Sequence, residues 1–276
     1  MSQPRRMSLA KQLLRDCSAA YPARGFRPDL DTVQTVEHYN SSDGQLKYTH
    51  MYFAKSVSLW RDLRHESSGS GPIYSVGAGP CLCLLGWFWE DPPEEDREVF
   101  AIDALEWRHV RNLTSHRQLM DEVIGPNFSY DAGRHIPDLA SGRPPEVAVV
   151  PSTTPLAPVE LAKDSTVLLP FILNHVAGVT SSTPLTDVIG WLQRVAARVA
   201  EVFVVDMPHA AAPRFWPRLA SELGVTNEPT TRVASSASDF STVYPSDAKW
   251  PTRRTNAKMC RYTALAWRRG AWTFIT

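Results

Sequence analysis

The stretch Val76-Gly77-Ala78-Gly79-Pro80-Cys81-Leu82-Cys83-Leu84-Leu85-Gly86 closes a short run, residues 73–76, that is apolar apart from Ser75. A run of this kind reads as a strand buried on both faces, and the glycine pair behind it turns the chain toward a helix. Glycine tolerates positive φ and carries no side chain, so the backbone at Gly77 and Gly79 approaches closely whatever binds there. Pro80 suits a first helical turn, where its missing N–H has no partner to lose. Residues 80–89 are apolar nearly all round, which predicts a buried helix. A strand, a glycine turn and a helix N-terminus together suit a pyrophosphate or the carboxylate of an amino-acid-like cofactor.

Working outward, the same kind of strand recurs. Residues 99–102 end at Asp103, 127–130 end at Asp131, 166–169 are continuously apolar, and 202–205 end at Asp206. Between them, residues 105–123 and 184–199 have helical spacing; in the second, Leu185, Val188, Ile189, Leu192, Val195 and Val199 make one face. Strand and helix in alternation predict an α/β fold with right-handed crossovers: a Rossmann-like, mostly parallel sheet flanked by helices. The end of the chain breaks that rhythm. Residues 259–267 alternate, Arg268-Arg269-Gly270 supplies a turn, and 271–275 return, so the sheet is expected to finish in an antiparallel β-hairpin.

Two domains are expected: an N-terminal helical cap, 1–70, and the α/β domain, 71–276. In the cap, residues 9–17 and 48–63 are helix-like, joined by a polar loop around Asn40-Ser41-Ser42-Asp43-Gly44. Ser67-Ser68-Gly69-Ser70-Gly71 reads as a flexible joint before the first strand. The proline-, serine- and threonine-rich segment 140–158 reads as an insertion loop. Within it, residues 147–150 are either a short strand of the insertion or the third strand of the core.

Composition removes several classes. With 29 Lys plus Arg against 29 Asp plus Glu, the chain has no global charge drawing it to nucleic acid or anionic lipid. The four cysteines lack CxxC spacing, no metal site is read from them, and Cys81 and Cys83 lie in an apolar run where buried thiols are the ordinary reading. The basic N-terminus is followed by no apolar stretch of signal-sequence length, and no run approaches the about 18 apolar residues of a membrane span. A soluble, cytoplasmic protein is expected. No GxSxG, P-loop or HExxH pattern is present. The arginines near the C-terminus read as a solvated hairpin edge. Trp87, Trp89, Trp107, Trp250, Trp267 and Trp272 read as core and hairpin packing rather than a base-stacking platform.

Asp103 follows the glycine pair at about the spacing of an acid that reaches ribose hydroxyls from the end of a second strand, which points to a nucleoside cofactor. A dinucleotide loop wants Gly or Ala at its sixth position; here that position is Leu82, and the small residue arrives only at Gly86. The string VGAGPCLCLLG instead resembles the first motif of class I S-adenosylmethionine-dependent methyltransferases, often VGxGPGxDLL. It matches at Val76, Gly77, Gly79, Pro80, Leu84 and Leu85 and departs at Cys81, where the motif has glycine, and Cys83, where it has an acid.

That resemblance covers roughly residues 72–276 and implies a set of site residues. Gly77, Ala78, Gly79, Pro80, Asp103 and Ala104 would lie along S-adenosylmethionine. Asp131-Ala132 resembles the acid–small pair that meets the adenine amino group, with a turn-capping Asp131 as the ordinary alternative. Residues 168–175, LLPFILNH, resemble the fourth-strand segment and put Phe171 beside the adenine or the methyl donor. His175, Asp206 and His209 fall at carboxyl ends of strands, where open α/β sheets bind ligands, and are the candidate catalytic residues. His175 is otherwise an ordinary helix-start histidine. The Asn/Asp-Pro-Pro-aromatic element of amine-directed nucleobase methyltransferases is missing after the fourth strand, and Asp91-Pro92-Pro93 reads as a helix stop. The expected function is S-adenosylmethionine-dependent methyl transfer. Its acceptor is unnamed, with a small molecule, a protein or RNA all compatible, and the oligomeric state is equally unread. The alternatives are a catalytically inactive methyltransferase-like binding or regulatory subunit and an NAD-dependent oxidoreductase, against which Leu82 and the terminal hairpin argue.

Overall fold

Four runs, 73–76, 99–102, 166–169 and 202–205, are largely apolar toward both faces and form the parallel part of one sheet, with the more polar Phe128–Ala132 at its edge. The computed structural model describes residues 3–19, 39, 41–103, 105–132, 161–171, 185–206, 212–234, 240, 243–244 and 260–276, with backbone alone at 185–188 and 212–214. In chain order the elements are α1 (Gln3–Ala19), α2 (Ser42–Arg64), β1 (Ile73–Val76), α3 (Leu82–Trp87), β2 (Val99–Asp103), α4 (Arg108–Arg111), α5 (Thr114–Val123) and β3 (Phe128–Ala132). There follow β4 (Thr166–Pro170), α6 (Leu185–Ala196), β5 (Glu201–Asp206), α7 (Ala212–Leu223), β6 (Arg232–Val233), β7 (Arg261–Arg268) and β8 (Ala271–Phe274).

The strand order is β3-β2-β1-β4-β5-β7-β6, with β8 also on β7. β1 to β5 are mutually parallel; β7 runs antiparallel to β5, and β6 and β8 antiparallel to β7. This is the Rossmann-like α/β sheet finished by an antiparallel hairpin that the sequence predicts. Arg269 and Gly270, at φ +54° and +82°, make the hairpin turn, and Trp267 pairs with Trp272 across it. Phe128–Ala132 holds the edge place beside β2; residues 147–150 lie outside the described residues.

Alternation along each strand sorts side chains into two cores. Ile73, Ala101, Leu168, Phe203 and Ala264 face one side and pack with α1, α2, α3 and α5. Tyr74, Ile102, Val167, Val204 and Leu265 face the other and pack with α6 and α7. At roughly 1.5–3 kcal/mol for each fully buried large apolar side chain, these two layers are what hold the sheet.

The boundary expected at residue 70 separates segments that share one core. α2 lies against α3, where Gly86 admits it: a Cβ there would sit 2.6 Å from Val57 O and 2.8 Å from Trp60 Cβ. Trp60 and Trp87 pack at 6.1 Å between centroids, and Trp87 meets Phe203 of β5 edge-on at 5.2 Å. From α1, the buried Arg6 guanidinium donates to the carbonyls of Trp89 and Glu90 just past α3. The small residue that comes too late for a dinucleotide loop therefore serves helix-on-helix packing.

Several expectations are corrected. The stretch around Asn40–Gly44 is not a loop throughout: Ser41 caps α2, its Oγ accepting from Gly44 N at 3.0 Å, because Ser and Asp favour a helix N-terminus as readily as a turn. Ser67–Gly71 is not a free joint. The Glu201 carboxylate accepts from the Ser67 and Ser68 hydroxyls and from Ser68 N and Gly69 N, and Arg97 donates to Gly69 O and Gly71 O at 2.8 Å each. The helix over 80–89 shrinks to Leu82–Trp87, and that over 105–123 divides in two at Leu113, whose backbone is extended.

Candidate functional site

β1 is the point where the sheet changes direction: β2 and β3 build out on one side of it, β4 and β5 on the other. Open α/β sheets bind ligands at the carboxyl ends of the strands beside such a switch, and Gly77–Pro80 lies there. Gly77, Gly79 and Cys81 take φ of +71°, +56° and +62°, an alternation that glycine adopts freely and cysteine does not. Cys81 therefore holds a backbone conformation that favours glycine.

The loop's main-chain donors are engaged within the protein. Gly77 N and Ala78 N donate to Ile102 O at 2.8 and 3.2 Å, and Cys81 N donates to Ala78 O at 2.9 Å. Gly79 N donates to Asp103 Oδ2 at 2.7 Å, and Pro80 has no N–H. Asp103 ends β2 and is buried; its other oxygen accepts from Leu105 N at 2.8 Å.

The structure brings Gly77, Ala78, Gly79, Pro80 and Asp103 together. Asp131 and Ala132 sit one strand away, in register with Ile102 and Asp103. Phe171 follows β4 at φ +54° and donates its N–H to Val205 O at 2.8 Å. Asp206 is fully buried at the end of β5, opposite Thr263, with β4 between its strand and β1. Ala104, His175 and His209 lie outside the described residues.

Three contributors escape a reading of the sequence. The Tyr130 hydroxyl donates to Gly79 O at 3.0 Å, with Leu105 O at 3.1 Å, and the Arg111 guanidinium lies 3.7 Å from the Tyr130 ring centroid. His116 of α5 meets Pro80 O at 3.0 Å through Nε2; since a carbonyl only accepts, Nε2 carries the proton. Trp107, expected to be packing, lies against Gly79, with its Cζ2 and Cε2 at 3.6 and 3.7 Å from the position of a Gly79 Cβ. No motif spacing links these residues to the loop. Each reaches it only through the fold.

Burial favours the neutral forms of His116, Cys81, Cys83 and Tyr130. It pushes His116 down to about 4 and Cys83 up to about 12, the latter against a contact from Ser75 Oγ to Cys83 Sγ at 2.9 Å. The Cys81 thiol and the Tyr130 hydroxyl are also raised by burial. Neither thiol is a thiolate near neutral pH, so neither is a nucleophile as it stands. Among the described residues no cluster of His, Cys, Asp and Glu forms a metal site, and no helix is long and apolar enough to cross a membrane.

Backbone strain is concentrated here. Of the four described non-glycine residues with positive φ, Cys81, Trp107 and Phe171 stand just past the ends of β1, β2 and β4, while Arg269 belongs to the hairpin turn. Such outliers persist where surrounding structure enforces them, and they collect at ligand sites.

No protein-family model matches the chain, and no curated protein matches it in sequence. Solved structures similar to it include an S-adenosylmethionine-dependent methyltransferase from Aquifex aeolicus, at 15% identity and TM-score 0.37, over 72% of this chain and 87% of that one. A precorrin-6y C5,15-methyltransferase from Geobacter metallireducens aligns at 10% identity and TM-score 0.35, over 64% and 72%. A glycopeptide N-methyltransferase complexed with sinefungin aligns at 14% and 0.34, over 64% of this chain and 55% of its own length. At these values function has to be read from the chain's own site.

Proposed function

We propose that this chain is a class I methyltransferase that binds S-adenosylmethionine across Gly77–Pro80 and Asp103, with Asp131, Ala132 and Phe171 at the adenine side. The observation that supports it over a dinucleotide enzyme is the engagement of the loop donors. A pyrophosphate is held by a nest of free N–H groups, whereas those of Gly77, Ala78, Gly79 and Cys81 already have internal acceptors. What the loop offers is close backbone approach beside a carboxylate, which suits a nucleoside without phosphates.

Bound S-adenosylmethionine supplies an activated methyl group on its sulfonium. The chain's part is to position. Gly77 and Gly79 admit the ligand to the backbone, Asp103 accepts from ribose hydroxyls, and the neutral Cys81 and Cys83 add no competing charge. In-line placement provides most of the rate enhancement. A base is required only for an acceptor that starts protonated, and His175, Asp206 and His209 are the residues proposed for that role. The acceptor is a small molecule, a protein or RNA.

Calorimetric titration with S-adenosylmethionine, S-adenosylhomocysteine and NAD tests this reading. Micromolar binding of the sulfur compounds, lost in Gly79→Arg and Asp103→Ala, is expected. Binding of NAD alone, or of none by folded protein, overturns it. One observation favours a second reading, a binding subunit without transferase activity: the described groups around the loop are neutral or already hydrogen-bonded, and none is poised as a base. Binding without turnover over a broad acceptor panel selects that reading.

A further inference from the structure

Resting on the proposed S-adenosylmethionine site, we infer that Trp107 is a ligand-binding residue whose indole N–H donates to the carboxylate of the amino-acid half of the cofactor. Trp107 is 4% exposed, and its Nε1 is buried without an acceptor among the described residues. Its backbone is left-handed, at φ +50° and ψ +30°, an uncommon state for a bulky residue. Its Cζ2 and Cε2 lie 3.6 and 3.7 Å from the position of a Gly79 Cβ, and Nε1 is bonded to Cε2. Tyr39 and Tyr48 back the indole at 5.8 and 5.2 Å between centroids, so its direction is set by packing.

Complementarity then assigns the ligand group. Asp103 and Trp107 meet at the same residue, Gly79. Asp103 is an acceptor and selects ligand hydroxyls. A ligand carboxylate needs a donor, and the main-chain donors of Gly77, Ala78, Gly79 and Cys81 are engaged. The Trp107 N–H is a side-chain donor beside the loop that is buried without an acceptor among the described residues. Trp60, Trp87 and Trp191 also bury indole nitrogens without an acceptor among the described residues. They have no left-handed backbone and do not touch the loop, so they serve as internal controls.

The test compares wild type, Trp107→Phe and Trp191→Phe, each checked for an unchanged melting temperature, by titration with S-adenosylhomocysteine and with 5′-methylthioadenosine, which lacks the amino-acid half. Losing a donor to a charged acceptor is expected to weaken S-adenosylhomocysteine binding about tenfold or more in Trp107→Phe. Methylthioadenosine binding should be unchanged, and Trp191→Phe should match wild type in both. Equal affinities for S-adenosylhomocysteine in wild type and Trp107→Phe, or equal losses for the two ligands, overturn the inference and leave the proposed function standing. If Trp107→Phe misfolds, ligand-induced change in wild-type indole N–H resonances decides: a Trp107 resonance unmoved by S-adenosylhomocysteine overturns it. Wild type that binds neither ligand fails the proposed function instead.

Discussion

Gly79 donates its main-chain N–H to Asp103 Oδ2 at 2.7 Å, so the acid ending β2 and the loop leaving β1 hold each other in place. The same carboxylate accepts from Leu105 N. Asparagine at 103 can accept on one side only and turns its amide N–H₂ toward a backbone donor on the other. Asp103→Asn is expected to lower unfolding free energy by about 1–3 kcal/mol, read by urea denaturation, whether or not ligand is present. An unchanged midpoint means the contact carries no load.

Cys81 pays for a side chain in a left-handed conformation at φ +62°. Alanine and glycine at this position both remove the thiol, and they differ mainly in that backbone penalty. Cys81→Gly should be more stable than Cys81→Ala by about 1 kcal/mol. Chemical denaturation of the pair measures it, and the reverse order contradicts the assigned backbone.

Burial lowers His116 and His50 to about 4 in the folded chain, against about 6.5 when unfolded. Between those values the unfolded state takes up protons that the folded state refuses. Their contribution to stability is therefore full above pH 6.5, falls as pH drops toward 4, and changes no further below that. His116→Gln keeps a donor for Pro80 O and removes one titration. Its urea midpoint should depend less steeply on pH between 6.5 and 4 than that of wild type.

Two helical glycines should respond oppositely to alanine. Gly86→Ala drives a Cβ into Val57 O and Trp60 Cβ and should cost about 1–3 kcal/mol. At Gly190 of α6 the nearest atom is the end of Arg194, at 3.4 Å. Alanine there should be neutral or stabilise by up to about 1 kcal/mol. Thermal melts of both variants make the comparison.

Glu201→Ala leaves the Ser67–Gly69 donors without their acceptor. Faster limited proteolysis near residues 67–71 is expected, and cleavage at the wild-type rate would show that Arg97 alone secures the segment.

The strands were legible because a strand covered on both faces writes itself as an uninterrupted apolar run: 73–76, 99–102, 166–169 and 202–205 all lie within observed strands. Helix α7 was not, since Pro217 lies inside it and proline reads as a break. β6 is two residues long and exists only through its pairing with β7. At the candidate site, Gly77, Gly79 and Asp103 follow from local spacing, because turn geometry and a strand end are local properties. Tyr130, His116 and Trp107 reach the loop across 51, 36 and 28 residues respectively, distances over which only tertiary packing decides who meets whom. The Ser67–Gly71 segment misleads for the same reason, as its partner Glu201 comes more than a hundred residues later.

Gly86 has a consequence for how the chain is made. α1 and α2 leave the ribosome before any strand of the sheet exists, so Leu13, Phe53 and Trp60 then lack the part of their core that α3 and the strands supply. Their docking surface emerges only with α3, which α2 meets at Gly86. At roughly 5–20 residues per second, that wait lasts a few seconds, the interval in which a nascent chain is most open to chaperones and to misassociation.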